Sequence, residues 1–263
     1  ASIYYVVKVK SRTPATREAF QQASLFGISI GNFNLPSVFT VNHWQRILSD
    51  PLLLRALTNT VVIAAGATLF ATTLFTLIAY VSLRTKFWGR RVLDFLTWLP
   101  STVPGIVTSL GWLMLTLNTP LFRPLYGTTI ILILVLGFSG ITLGVQLIRS
   151  SLIQLGLELE EASWASGAGF VYTLRRVLLP LIAPAVAVVA LSTFGSAASA
   201  VSLVALLGSN NNKPLSLLQL EYFDTGLYEP AAVVGVIIFA ITVGAALLAR
   251  VLGLNAGLGR QQR

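Results

Sequence analysis

Glu158, Glu160 and Glu161, followed by Arg175 and Arg176, crowd into one stretch of a chain that otherwise carries few charges, LELEEASWASGAGFVYTLRRVLLPLIAP. Nothing there is set up to make or break bonds. The chain has no cysteine for a nucleophile, a disulfide or a thiolate metal site, and its single histidine, His43, precedes every long apolar segment. Gly137-Phe138-Ser139-Gly140 looks like the serine motif of an intramembrane protease, but such a serine needs a base within hydrogen-bond reach. Small residues for helix packing are the better reading. Gly167-x-Gly169 lacks the third glycine and the preceding strand of a nucleotide loop, and no Gly-x-x-x-x-Gly-Lys-Ser/Thr run occurs, so this chain does not split ATP by the P-loop route. No metal ligands and no catalytic residues are assigned. The chemistry that remains is recognition, with energy supplied by a partner.

The elements that must hold the charged stretch follow from its residue types. Leu155 to Ser166 carries helix formers with Leu, Ala and Trp at helical spacing, and its glutamates fall in the early turns, where the helix dipole favours negative charge. Gly167 and Gly169 predict its end, because glycine reaches left-handed backbone angles cheaply. A second helix is expected from about Phe170 with Arg175 and Arg176 on it, and Pro180 is expected to mark the swing into the next apolar segment. The whole reads as a short helix lying across the end of a bundle, shaped to enter a groove on another protein.

That bundle is a membrane bundle. Only 10% of residues are charged, 55% are hydrophobic and the mean hydropathy is +0.79, values of a membrane protein. Apolar segments near the ~20 residues a helix needs to cross a bilayer are visible at 59–83, 92–117, 128–148, 177–207 and 231–252. The fold class is therefore all-α, a polytopic transmembrane helical bundle with about five spans. The formal charge of +9 does not point to nucleic acid, since the basic residues sit mainly in short loops beside spans. Arg84, Lys86, Arg90, Arg91, Arg149, Arg175 and Arg176 mark the richer side, which the positive-inside rule makes cytoplasmic.

Two polar constellations lie in the spans. Ser192, Ser196 and Ser199, at steps of four and three, share one helix face. They read either as a polar lining for a solute path or, with Gly195, Ala197, Ala198 and Ala200 around them, as a close-packing face. Pro100, Ser101, Thr102 and Pro104 interrupt the second span, as path-lining residues or as a simple kink. Asp94, near the end of that span, is expected to pair with Arg90 or Arg91.

The order Glu161-Ala162-Ser163, Gly167, then Val177-x-Leu179-Pro180 resembles the coupling loop of binding-protein-dependent ABC importer permeases. The resemblance runs from about Leu35 to Leu252 through VNHWQRILSDPLLLRALTNT, LTWLPSTVPGIV and RPLYGT, and is nearest to the ferric-ion, polyamine, thiamine and phosphonate importer group, ferric iron first. It implies a core of five to six helices in a bacterial inner membrane, paired with a second permease subunit or homologous half. It also implies two separate ATPase subunits that bind ATP and Mg, and an external solute-binding protein. This chain itself is expected to need no cofactor and to contact lipid but no nucleic acid. Glu160, Glu161, Ala162, Ser163, Gly167 and Pro180 become the ATPase-coupling residues. Ser163 stands where the family has a second Ala, and Ser196 to Ala200 are small where relatives often carry an Arg-Glu pair. The alternative is a secondary carrier or channel without an ATPase, which ordinarily carries an ionisable residue inside the membrane.

Residues 1–57 read as an N-terminal extramembrane or truncated segment, 58–252 as the permease domain and 253–263 as a cytoplasmic tail. A short helix is expected from Thr13-Pro14 to about Ala23, no signal peptide is evident, and a further transmembrane helix is expected upstream or within this region.

Overall fold

The computed structural model describes residue 48, residues 50–86 and residues 88–258, with side chains through Arg250. The expectations for residues 1–47, including the helix from Pro14 and His43, and for residues 259–263 lie outside the described residues.

One helix organises the rest. α1, Pro51–Arg84, is 34 residues long, about 51 Å at 1.5 Å per residue, and so exceeds a hydrocarbon core of about 30 Å. Asp50 caps its start by accepting from the Leu52 N–H at 2.8 Å, with Pro51 in the first turn, where a missing N–H costs nothing. The remaining helices are α2 Arg90–Trp98, α3 Gly105–Asn118, α4 Thr129–Ser139, α5 Ile141–Gln154, α6 Glu158–Ala165, α7 Phe170–Ser199, α8 Leu215–Asp224 and α9 Tyr228–Leu258. Along α1 the core falls into three successive layers. Leu53 and Ala56 pack with Leu215, Leu218 and Val234 of α8 and α9. Ile63, Ala64 and Ala67 meet Ile131, Leu132 and Val135 of α4 and Val204 and Leu207 beyond α7. Ala71, Phe75 and Ala79 meet Val145, Ile148 and Leu152 of α5 and Ile182 of α7. Alanines at steps of three and four let neighbouring backbones approach, and Gly144 admits the Phe75 ring where any Cβ would collide with it.

Three described helices, α1, α7 and α9, are long and apolar enough to cross a membrane, and the pair α4 and α5, bent by 55° at Gly140, has the length and apolarity of a broken span or of a re-entrant loop. The expected second span is divided. A 3₁₀ turn, Leu99–Thr102, separates α2 from α3. In 3₁₀ register the N–H of residue 100 would bond the carbonyl of residue 97, but Pro100 has none, and the Thr142 hydroxyl on α5 donates to the Thr97 carbonyl instead, at 2.6 Å. Asp94 pairs with Arg149 on α5 at 3.1 Å rather than with Arg90 or Arg91, because the break sets α2 against α5.

The fourth expected span is also corrected. The apolar segment expected to span runs to Leu207, yet α7 ends at Ser199 and residues 200–214 are turns and irregular backbone. Buried irregular backbone survives in a membrane protein only where its polar groups are met by protein. Here they are: Ser216 donates to the Ala200 carbonyl at 2.7 Å, Ser109 to Leu203 at 3.0 Å, and Asn59 to the carbonyls of Asn211 and Lys213 at 3.2 and 3.1 Å. Asn212 ties this segment to the Thr128 carbonyl at 2.8 Å.

Candidate functional site

The charged stretch forms a compact unit at the Arg84 end of α1. α6 begins with Glu158, Glu160 and Glu161 in its first turn and no side-chain cap at Leu157, so the acidic residues are what meet the positive helix end. Its other end closes on Gly167, whose φ of +83° is the left-handed conformation expected of it. The Gly167 N–H bonds the Trp164 carbonyl at 2.9 Å and the Ala168 N–H bonds the Ser163 carbonyl at 3.1 Å, the paired bonds of a Schellman turn. Gly169, at φ −78° and ψ 168°, is extended, a conformation any residue adopts.

The side chains of α6 divide between two faces. Glu160 points inward with none of its side chain exposed, whereas Glu161 and Ala162 are exposed and Ser163 is half-buried. Tyr80 donates to Glu160 Oε2 at 3.0 Å, and Arg84 Nε lies 2.9 Å from Glu160 Oε1, within ion-pair distance but out of line for a hydrogen bond. Arg84 Nη2 also donates to the carbonyls of Leu152 and Leu155 where α5 ends. Ser163 Oγ and Thr173 Oγ1 lie 2.9 Å apart, so the serine that stands in an alanine position stitches α6 to the start of α7. Tyr80 and Arg84, four residues apart and therefore on one helix face, were read in the sequence only as part of an apolar span and a topology charge. Their spacing was the available signal.

Pro180 does not turn the chain. It lies within α7, directly after a π-helical turn, Leu174–Leu178, in which the Leu179 N–H reaches back five residues to the Leu174 carbonyl. Proline removes a donor and displaces the preceding turn, and a π-bulge is one way a helix absorbs that. The widened turn leaves Arg175 and Arg176 exposed beside Val171 and Tyr172, around a surface cleft of about 540 Å³.

The two membrane constellations stay apart. Pro100 joins Val103, Thr108, Trp112, Phe138 and Ser139 around a cavity of about 320 Å³ at the break between α2 and α3, while Ser101, Thr102 and Pro104 are exposed. Ser101 and Thr102 donate to carbonyls of the preceding turn, at 2.8 Å each. Ser192, Ser196 and Ser199 share an exposed face of α7, opposite the buried Thr193, Ala197 and Ala198, and a Cβ on Gly195 would meet nothing within 4 Å. Among the described residues, nothing packs closely on the serine face at Gly195.

Comparison with known proteins agrees with this architecture. The family described as binding-protein-dependent transport system inner membrane component matches residues 72–255. The chain is similar to the probable ABC transporter permease protein y4fN of Sinorhizobium fredii, 32% identical over 76% of this chain and 35% of that protein. It is similar to the ferric transport system permease protein FbpB of Actinobacillus pleuropneumoniae, 26% identical over 82% of this chain and 32% of the relative. It thus spans about a third of the length of these two relatives. The probable sulfate transport system permease protein cysT of Chlorella vulgaris is 28% identical over 79% of this chain and 83% of its own. Among solved structures, a bacterial alginate ABC transporter in complex with an alginate pentasaccharide-bound periplasmic protein aligns at a TM-score of 0.65, with 15% identity, over 94% of this chain and 90% of that one. The bundle, its crossing loop and the match over residues 72–255 together place the chain in the family of binding-protein-dependent transport system inner membrane components.

Proposed function

We propose that this chain is the permease subunit of an ATP-driven importer and that α6 is the element that meets its ATPase. One observation carries the reading: at the end of a membrane bundle, α6 is held from within by Glu160 and Ser163, yet presents Leu159, Glu161, Ala162 and Trp164 outward beside exposed Phe170, Val171 and Tyr172. Large apolar side chains exposed among charges at the end of a bundle suit a protein-binding surface. Arg84, Arg90, Arg91, Arg149, Arg175 and Arg176 cluster around this end, which supports a cytoplasmic position in a bacterial inner membrane. Two ATPase chains carrying ATP and Mg, a second permease copy or half, and an external solute-binding protein complete the assembly. Glu161, Ala162 and Gly167 act at the contact, and Pro100, Ser101, Thr102, Pro104, Ser192, Ser196 and Ser199 face the solute's route. Ferric iron is the first solute to test, on the likeness to FbpB, and sulfate the second, on the likeness to cysT.

Reconstitution into proteoliposomes with a partner ATPase and solute-binding protein tests the reading. Uptake of iron or sulfate is expected only with hydrolysable ATP inside and the binding protein outside. Uptake driven by an ion gradient without ATP would establish the carrier alternative instead.

A further inference from the structure

We propose that Arg84 is the joint through which α6 moves the membrane helices, and that Glu160 acts as its inward-facing handle rather than as part of the ATPase contact. The proposal rests on the importer reading and adds to it the path by which motion enters the bundle. Glu160 has no exposed side-chain surface, so it touches nothing outside this chain as folded here. Its carboxylate ends instead on Tyr80 and Arg84, both on the last turns of α1, the helix that lines all three core layers.

Arg84 is 8% exposed and serves three elements at once. It belongs to α1, it faces Glu160 of α6, and its Nη2 holds the Leu152 and Leu155 carbonyls that close α5. A guanidinium has five donors in a fixed fork and makes such a junction, whereas an ammonium offers one compact head. Side chains add to what the backbone turns at the two ends of α6 fix. The helix is connected on one side through Gly156 and on the other through Gly167, and a Cβ at either meets no side chain within 4 Å. The inward side chains help orient it: Glu160 on Tyr80 and Arg84 of α1, Ser163 on Thr173 of α7. A push on α6 therefore reaches α1 and α5 through Arg84.

A buried ion pair is a poor source of net stability, since apolar residues of similar volume often replace it without loss, but it is directional. That contrast separates transmission from scaffolding. The double variant Arg84→Met/Glu160→Met should be recovered at normal yield in complex with the ATPase. In proteoliposomes containing ATPase and binding protein, its solute transported per ATP hydrolysed should fall about tenfold, the scale of an ordinary coupling between sites. Arg84→Lys keeps the charge but cannot hold both carbonyls and Glu160, and should fall in the same direction. Asp94→Asn, which breaks the ion pair between α2 and α5, should leave the ratio at the wild-type value. Wild-type transport per ATP in the double variant overturns the proposal. If the double variant does not fold, a wild-type ratio in Arg84→Lys overturns it equally. Absence of ATP-dependent uptake by the wild-type complex refutes the importer reading itself, and is distinguished by failing before any substitution is made.

Discussion

Gly167→Ala isolates the backbone contribution to the loop. At φ +83° an alanine is forced into the left-handed region, at a cost of roughly 1–2 kcal/mol. The added Cβ would meet nothing within 4 Å, so no steric clash adds to that cost. α6 has only eight residues, below the length at which a helix holds itself together in water, and its C-terminal carbonyls depend on the Schellman bonds that Gly167 permits. If the partner ATPase binds the ordered turn, roughly 1–2 kcal/mol lost from the turn weakens binding by about 5- to 30-fold. Titration of purified ATPase onto the detergent-solubilised subunit measures this directly. Gly169→Ala supplies the control two residues away, since Gly169 is extended and its Cβ position is also open. It should bind as wild type, and Gly167→Asn should lie between, because asparagine tolerates the left-handed region better than alanine. Equal affinity of Gly167→Ala and wild type, or equal damage from Gly169→Ala, would refute the reasoning.

Ser196→Leu places a large side chain on the exposed face of α7, so the subunit should be recovered at normal yield while transport by the assembled complex falls; lost yield of the isolated subunit would return the serine face to internal packing. Thr142→Val leaves the buried Thr97 carbonyl without its donor at a cost of about 1–3 kcal/mol, which thermal unfolding in detergent should register as a lower midpoint, with Thr142→Ser near wild type. The chain has no cysteine, so single cysteines report topology: one at Ala162 should be shielded from an impermeant thiol reagent in intact cells and one at Asn211 should react, and the reverse pattern would invert the orientation.

Local chemistry made some of this architecture readable from residue types alone. Pro100 and Pro104 announced the break between α2 and α3, and Gly167 announced its turn, because proline and glycine act on the backbone whatever surrounds them. The end of α7 at Ser199 was not readable. Ala200 to Leu207 is a good helical sequence by propensity, and what stops it is tertiary: Ser216, Ser109, Asn59 and Asn212 take carbonyls from segments up to 154 residues away. Pro180 misled for the opposite reason, since a π turn absorbed the disturbance without ending the helix. In the loop, spacing identified α6 and its glutamates but could not separate the inward Glu160 from the outward Glu161. That distinction depends on which glutamate faces Arg84, a contact across 76 residues of chain.

Cross-linking from α6 tests the central claim most directly. With Ala162→Cys as the only cysteine in this chain, a short bifunctional thiol reagent applied to the complete transporter should join the subunit to its ATPase, and a cysteine at Ser192 should not. Addition of ATP should change the yield from Ala162 as the ATPase pair closes. An assembled, transporting complex in which no position on α6 cross-links to the ATPase would contradict the account.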